Sequence, residues 1–131
     1  MIPVWILKDY IELQGLRLTE KTHVKYEVFG DFQSLTIAPR ILIPFIDNAF
    51  KYGVSNRYES EINIRFEFLQ KNMFFTIQNA IHPNGGESLE SSGVGLENAR
   101  RRLELLYPGN YILKITKTPE SYHVLLKIEL A

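Results

Sequence analysis

Cysteine is absent from the 131-residue chain, so neither a disulfide nor a thiolate metal site can hold its fold or carry its chemistry. A surplus of charge is absent too, because 15 Lys and Arg balance 15 Asp and Glu. Nucleic-acid binders ordinarily carry a basic surplus, so no nucleic-acid partner is expected. The one basic cluster, Arg100-Arg101-Arg102, is flanked by Glu97 and Glu104 and reads as a solvated helix face. No apolar run reaches the roughly 18–20 residues that a membrane span requires. The stretch from Met1 to Leu7 lacks the basic start of a secretory signal, and no direct membrane contact is expected from this segment. What the sequence does hold is 45% hydrophobic residues, enough for the core of one folded domain.

Hydrophobic spacing divides the chain into elements. Trp5, Ile6, Leu7, Tyr10, Ile11, Leu13, Leu16 and Leu18 recur at helical intervals, predicting a helix over Val4 to Leu18 whose apolar stripe needs a partner. Thr22 to Phe29 alternates as a half-buried strand, with Val24, Tyr26 and Val28 on one side, and Gly30–Asp31 ends it. Ala38 to Val54 predicts a second helix with Pro39 in its first turn, a kink or restart at Pro44 and a stop at Gly53. Glu61 to Asn79 reads as a hairpin turning at Gln70–Lys71–Asn72. Met73, Phe75, Ile77 and Asn79 share one face of its second strand. Ile81 to Ser92 is a long polar loop of the kind that serves as a lid. A third helix follows over Leu96 to Tyr107, and Tyr111 to Thr118 pairs with Tyr122 to Leu130. Adjacent strands joined as hairpins give a mixed sheet. With helices packed on one face, the α/β (α+β) class expected is a two-layer α/β sandwich.

Three groups of residues could carry chemistry. Asn48, Lys51 and Tyr52 stand at i, i+3 and i+4 and so share one helix face. An amide oxygen can ligate Mg²⁺, an ammonium can neutralise phosphate, and a phenol ring can stack on a purine. The same spacing also describes an ordinary solvated face. Gly93-Val94-Gly95-Leu96 precedes a helix whose first N–H groups and positive dipole end make an anion site; it also describes a common glycine turn. Neither a Walker-type nor a Rossmann glycine motif is present. Asn79, facing inward at a strand end, could accept a hydrogen bond from the exocyclic amine of adenine, or bond only local backbone.

Taken in order, these segments resemble a known pattern. Asp47-Asn48-Ala49-Phe50-Lys51-Tyr52-Gly53 resembles the N box of the GHKL nucleotide-binding superfamily, Thr76-Ile77-Gln78-Asn79 falls where its first glycine box starts, and Gly93-Val94-Gly95-Leu96-Glu97-Asn98 resembles its second. Tyr10-Ile11-Glu12-Leu13-Gln14, the run from Pro39 to Gly53, and Gly93 through Tyr107 resemble the catalytic domain of LytS-like sensor histidine kinases. The resemblance implies the Bergerat fold of histidine-kinase ATPase domains, with ATP and Mg²⁺ between the N-box helix and a lid. It implies Asn48 as the metal ligand, Lys51 at phosphate, Tyr52 and Asn79 at adenine, and the backbone of Gly93, Val94, Gly95 and Leu96 at the phosphates. Asp47, matching the acidic residue of the LytS-like box, takes a base or polarising role as the candidate catalytic residue.

The implied partners are ATP, a histidine-bearing dimerisation domain upstream, and a response regulator reached indirectly. Residues 1–20 would lead from that helical domain, and 21–131 would be the ATP-binding catalytic domain. The implied setting is the cytoplasmic part of a membrane-anchored bacterial kinase. None of His23, His82 and His123 has the helical context of a phosphoryl acceptor, so the fragment alone is not expected to phosphorylate itself.

The pattern has departures. Asn79 replaces an aspartate, Ala80-Ile81-His82 replaces the glycines that follow it, and Pro44 stands where ATPase relatives place a carboxylate. Two alternatives stay open: another GHKL protein kinase acting on a hydroxyl, or a nucleotide-blind interaction module that kept the fold.

Overall fold

The computed structural model describes residues 1–16, 21–32, 34–53, 59–81 and 93–130. In chain order the elements are β1 (Ile2–Pro3), α1 (Ile6–Gly15), β2 (Thr22–Phe29), β3 (Thr36–Ile37), α2 (Ile43–Gly53), β4 (Ser60–Leu69), β5 (Asn72–Ala80), α3 (Gly93–Leu106), β6 (Tyr111–Lys117) and β7 (Ser121–Glu129). Five of the strands form one sheet in the order β2-β4-β5-β7-β6. The β2–β4 pair is parallel and every other neighbour antiparallel. A parallel neighbour demands a crossover, and the segment through β3 and α2 supplies it. The architecture is thus the expected two-layer α/β sandwich with a mixed sheet.

Alternation in sequence becomes burial in space. Ile62, Ile64, Phe66 and Phe68 of β4, Met73, Phe75 and Ile77 of β5, and Val124, Leu126 and Ile128 of β7 all turn to the helices. They meet Leu7 and Ile11 of α1, Phe45, Ile46 and Ala49 of α2, and Ala99 and Leu103 of α3 in one core. Phe66 and Phe75 pack with ring centroids 5.0 Å apart, a tilted contact that aromatic quadrupoles favour. The other face of the sheet carries ion pairs such as Arg65–Glu67 at 3.7 Å. Gly30 closes β2 at φ +94°, where a β-carbon would also stand 2.2 Å from the Phe68 carbonyl oxygen, so only glycine fits.

The element boundaries depart from the periodicity in four places. Helix α1 begins at Ile6 and not at Val4, because the chain before it is drawn into an antiparallel ladder in which Ile2 pairs with Ile37 and Pro3 with Thr36; the last two residues of the expected helix, 17 and 18, lie outside the described residues. That small ladder was not foreseen; two residues are too few to show an alternation. Helix α2 begins at Ile43, so Pro44 lies in the first turn, where a missing N–H removes no helical bond, and no kink is needed. Pro39 is instead part of a turn in which Arg40 takes φ +67°. Helix α3 begins at Gly93, so Gly93, Val94 and Gly95 form its first turn, not a loop ahead of it. The predicted lid lies outside the described residues except for Ile81.

One buried bond fixes how the helices lie. The Ala38 N–H donates to the Tyr107 hydroxyl at 2.8 Å. This ties the end of α3 to the segment that enters α2, so the two neighbouring helices run antiparallel. Burial pushes the Tyr107 phenol above its ordinary pKa, against the opposing pull of that N–H, and the group stays neutral. Replacing Tyr107 by Phe leaves a buried amide without an acceptor. A urea melt should show about 1–3 kcal/mol of lost stability; an unchanged midpoint would mean that another acceptor takes over.

Candidate functional site

Register brings the ends of several elements to one edge of the sheet. Asn79, next to last in β5, sits opposite Ile62 near the start of β4 and opposite Tyr122 near the start of β7. Helix α2 finishes at the same edge, where the Ser60 hydroxyl donates to the Gly53 carbonyl. Because α3 runs antiparallel to α2, its first turn starts there as well. The edge therefore gathers the C-terminal turn of α2, the N-terminal turn of α3 and the strand ends bearing Asn79 and Tyr122.

Gly53 sets how closely these parts approach. A β-carbon on it would stand 2.8 Å from the Asn79 β-carbon and 3.1 Å from Ile62 Cγ1. Helix α2 can thus lie on the strand at Asn79 only because residue 53 has no side chain. Asn79 is 2% exposed, and its amide nitrogen donates to the Ala80 carbonyl at 3.0 Å. Only the nitrogen of the amide can make that bond, so the amide oxygen is left as an acceptor.

The α2 stripe divides by depth. Asn48 is 7% exposed and Tyr52 4%, whereas Lys51 is exposed, its ammonium 5.5 Å from the Tyr52 ring centroid. That separation suits a cation–π contact, which holds the charge beside the last turn of the helix. Asp47 points elsewhere: it is exposed and accepts a hydrogen bond from the Tyr10 hydroxyl of α1. It therefore joins two helices and stands apart from the Asn48 stripe. Gly93, Val94 and Gly95 contribute first-turn backbone, and Leu96 is partly buried against the core. The positive end of α3 thereby faces the edge.

Among the described residues no group of three or more His, Cys, Asp or Glu side chains could hold a metal ion. That donor set does not suit a fully protein-bound cation. One amide oxygen does suit Mg²⁺, which keeps waters and takes most of its other ligands from phosphates. The Asn48 amide has an oxygen of that kind, and the first N–H groups of α3 are donors suited to an anion.

The chain matches no protein-family model and no curated protein in sequence. Its three-dimensional likeness is to histidine kinases. A blue-light-activated histidine kinase of Erythrobacter litoralis superposes over 99% of this chain and 42% of its own, with TM-score 0.71 and 15% identity. The histidine kinase AdeS of Acinetobacter baumannii gives 98%, 66%, 0.64 and 15% in the same order. Full-length ShkA in complex with AMPPNP gives 97%, 30%, 0.67 and 15%. The chain has the fold of a histidine kinase ATPase domain. It spans less than two thirds of the length of each of these three proteins.

Reading the sequence identified Asn48, Lys51 and Asn79 as candidates but missed Gly53 as the spacer, Tyr10 as the partner of Asp47, and the hydroxyl of Tyr122. Tyr122 was already legible as an inward residue of its strand; its tip was not, because alternation reports direction and not hydrogen bonding. The Gly53–Asn79 approach is testable by a double-mutant cycle. Gly53→Ala should cost about 1–3 kcal/mol through overpacking. In the Asn79→Gly background the penalty should shrink by about 1 kcal/mol; strict additivity would contradict the contact.

Proposed function

We propose that this chain is the ATP-binding catalytic domain of a LytS-like sensor histidine kinase, which moves the γ-phosphoryl group of ATP to a histidine on a separate helical domain. The observation that supports the reading is the close approach of Gly53, at the end of the helix that carries Asn48 and Lys51, to Asn79. The AMPPNP named with ShkA is a second support, since that protein shares the fold.

Each residue has a task set by its chemistry. Asn48 offers its amide oxygen to Mg²⁺, and Lys51 its charge to phosphate. The N–H groups of Gly93, Val94, Gly95 and Leu96 take phosphate oxygens at the positive end of α3. Asn79 accepts from the adenine amine, and Tyr52 backs the base from below. When bound, Mg²⁺ neutralises charge on the phosphates. The protein's part in phosphoryl transfer is chiefly positioning and charge neutralisation. In that transfer a histidine nitrogen forms the new bond to phosphorus as the bond to the β,γ-bridging oxygen breaks, and ADP leaves. Asp47 has the weaker claim to a polarising role, because Tyr10 already engages it.

The acceptor belongs elsewhere on this reading. His23 lies on β2 beside Glu59 at 3.1 Å, His123 lies on β7, and His82 is outside the described residues. Residues 1–20 would then lead from the acceptor domain, and a response regulator would receive the phosphoryl group from it. Among the described residues no helix is long and apolar enough to cross a membrane. A membrane anchor would belong to another part of the parent kinase, with this part in the cytoplasm.

The test is thermal unfolding with and without Mg-ATP. At a ligand concentration 100 times Kd, binding adds about 2.7 kcal/mol. Lys51→Ala should change intrinsic stability by less than about 0.5 kcal/mol and weaken ATP binding about tenfold. Asn48→Ala should abolish the part of the shift that depends on magnesium. A separately made acceptor domain should become phosphorylated while this chain alone does not. An unchanged melting curve at millimolar Mg-ATP would point instead to a nucleotide-blind module.

A further inference from the structure

The five-stranded sheet has two lateral strands, β2 and β6, and β6 offers a free row of backbone groups. The register tells which groups these are. The Glu129 N–H donates to the Asn110 carbonyl at 2.9 Å, and the Thr118 N–H donates to the Ser121 carbonyl at 2.9 Å. On the register that pairs Tyr111 with Ile128 and Lys117 with Tyr122, both are directly opposite pairs. Antiparallel pairs alternate between those that exchange backbone bonds and those that do not. Ile112, Lys114 and Thr116 therefore bond β7, whereas the N–H and C=O groups of Tyr111, Leu113, Ile115 and Lys117 point away from it. Because β6 ends the strand order, no strand among the described residues meets those groups. Such a row is a template for one more strand.

Charge decides which strand can add. From Tyr111 to Thr118 and from Ser121 to Ile128 the hairpin carries Lys114, Lys117 and Lys127 and no carboxylate; Glu120 sits in the turn and Glu129 beyond the far end. Glu104 of α3 lies on the helix face, where it accepts from the Tyr111 hydroxyl at 2.8 Å. The other lateral strand, β2, pairs its own Lys25 with Glu27 at 3.9 Å, so its charge is answered within the strand. Lys114 stands exposed at the middle of β6. A second copy pairing antiparallel about that centre would set Lys114 against Lys114, and like charges directly opposite destabilise a ladder. A carboxylate in the same position is attracted. On the helix face Tyr111, Leu113 and Ile115 are only partly buried against the core, which leaves apolar neighbours for an added strand.

We propose that β6 is a docking edge that takes an extended acidic segment of a partner protein by β-strand addition. The added strand alternates: a carboxylate lies opposite Lys114 on the outer face, and apolar side chains lie beside Leu113 and Ile115 on the helix face. Main-chain bonds to the free row supply the attachment, and the alternating side chains supply the selectivity. This interaction is separate from the nucleotide-binding function proposed above.

The probe is a blocked peptide as long as β6 in which valine and glutamate alternate. Its controls are the same peptide with every backbone nitrogen methylated and a version with lysine in place of glutamate. Amide hydrogen exchange of the full chain, read by NMR, reports the free row directly. The glutamate peptide should slow exchange at the Leu113 and Ile115 amides, and the methylated peptide should not. Lys114→Glu should weaken the glutamate peptide about tenfold and let the lysine version bind. No protection at millimolar glutamate peptide would overturn the inference. Binding that survives methylation would overturn it too, by showing attraction between charges without strand addition. Equal binding of the glutamate and lysine peptides by wild type would refute the acidic partner. Protection of both amides that grows with protein concentration alone would name a second copy as the occupant and refute it as well.

Discussion

The register between β5 and its two neighbours is the constraint on which the rest depends. Pairing Asn79 with Ile62 and Tyr122 puts two polar side chains at the rim of an otherwise apolar sheet face. A slip by one residue would turn Met73, Phe75 and Ile77 to solvent with them, so the core protects the placement of the site. Burial of the alternate residues is thus what aims Asn79 and Tyr122 toward the helices.

The helices meet that edge through two small details. Gly53 lets α2 close on Asn79, and the Ala38–Tyr107 bond holds α3 antiparallel to α2. Together they bring the negative end of one helix and the positive end of the other to the same place. A helix N-terminus welcomes anions, and Lys51 in the last turn of α2 offsets the negative end there.

Much of this was legible in the sequence. Strands β2, β4, β5 and β7 were readable because a half-buried sheet leaves a period of two, and Asn79 stood out because it broke an apolar series on its inward side. The candidate stripe on α2 was readable from helical spacing. The β1–β3 ladder was not, since two residues hold no period. The starts of α2 and α3 were not, because Pro44 and the glycines 93 and 95 look like interruptions in sequence, yet all three are tolerated within a first turn. The Tyr10–Asp47 link and the unpaired Tyr122 hydroxyl depend on distances between elements that no local pattern encodes.

The central claim is that a Mg-nucleotide is held at the edge shared by α2, α3, β5 and β7. The most direct measurement is NMR titration with Mg-AMPPNP, following the side-chain amide signals of the asparagines. The account predicts large shifts at Asn48 and Asn79, with Asn72 and Asn110 at the opposite edge of the sheet unchanged. Shifts confined to Asn72 and Asn110, or no shift at Asn48 and Asn79 under saturating ligand, would contradict it.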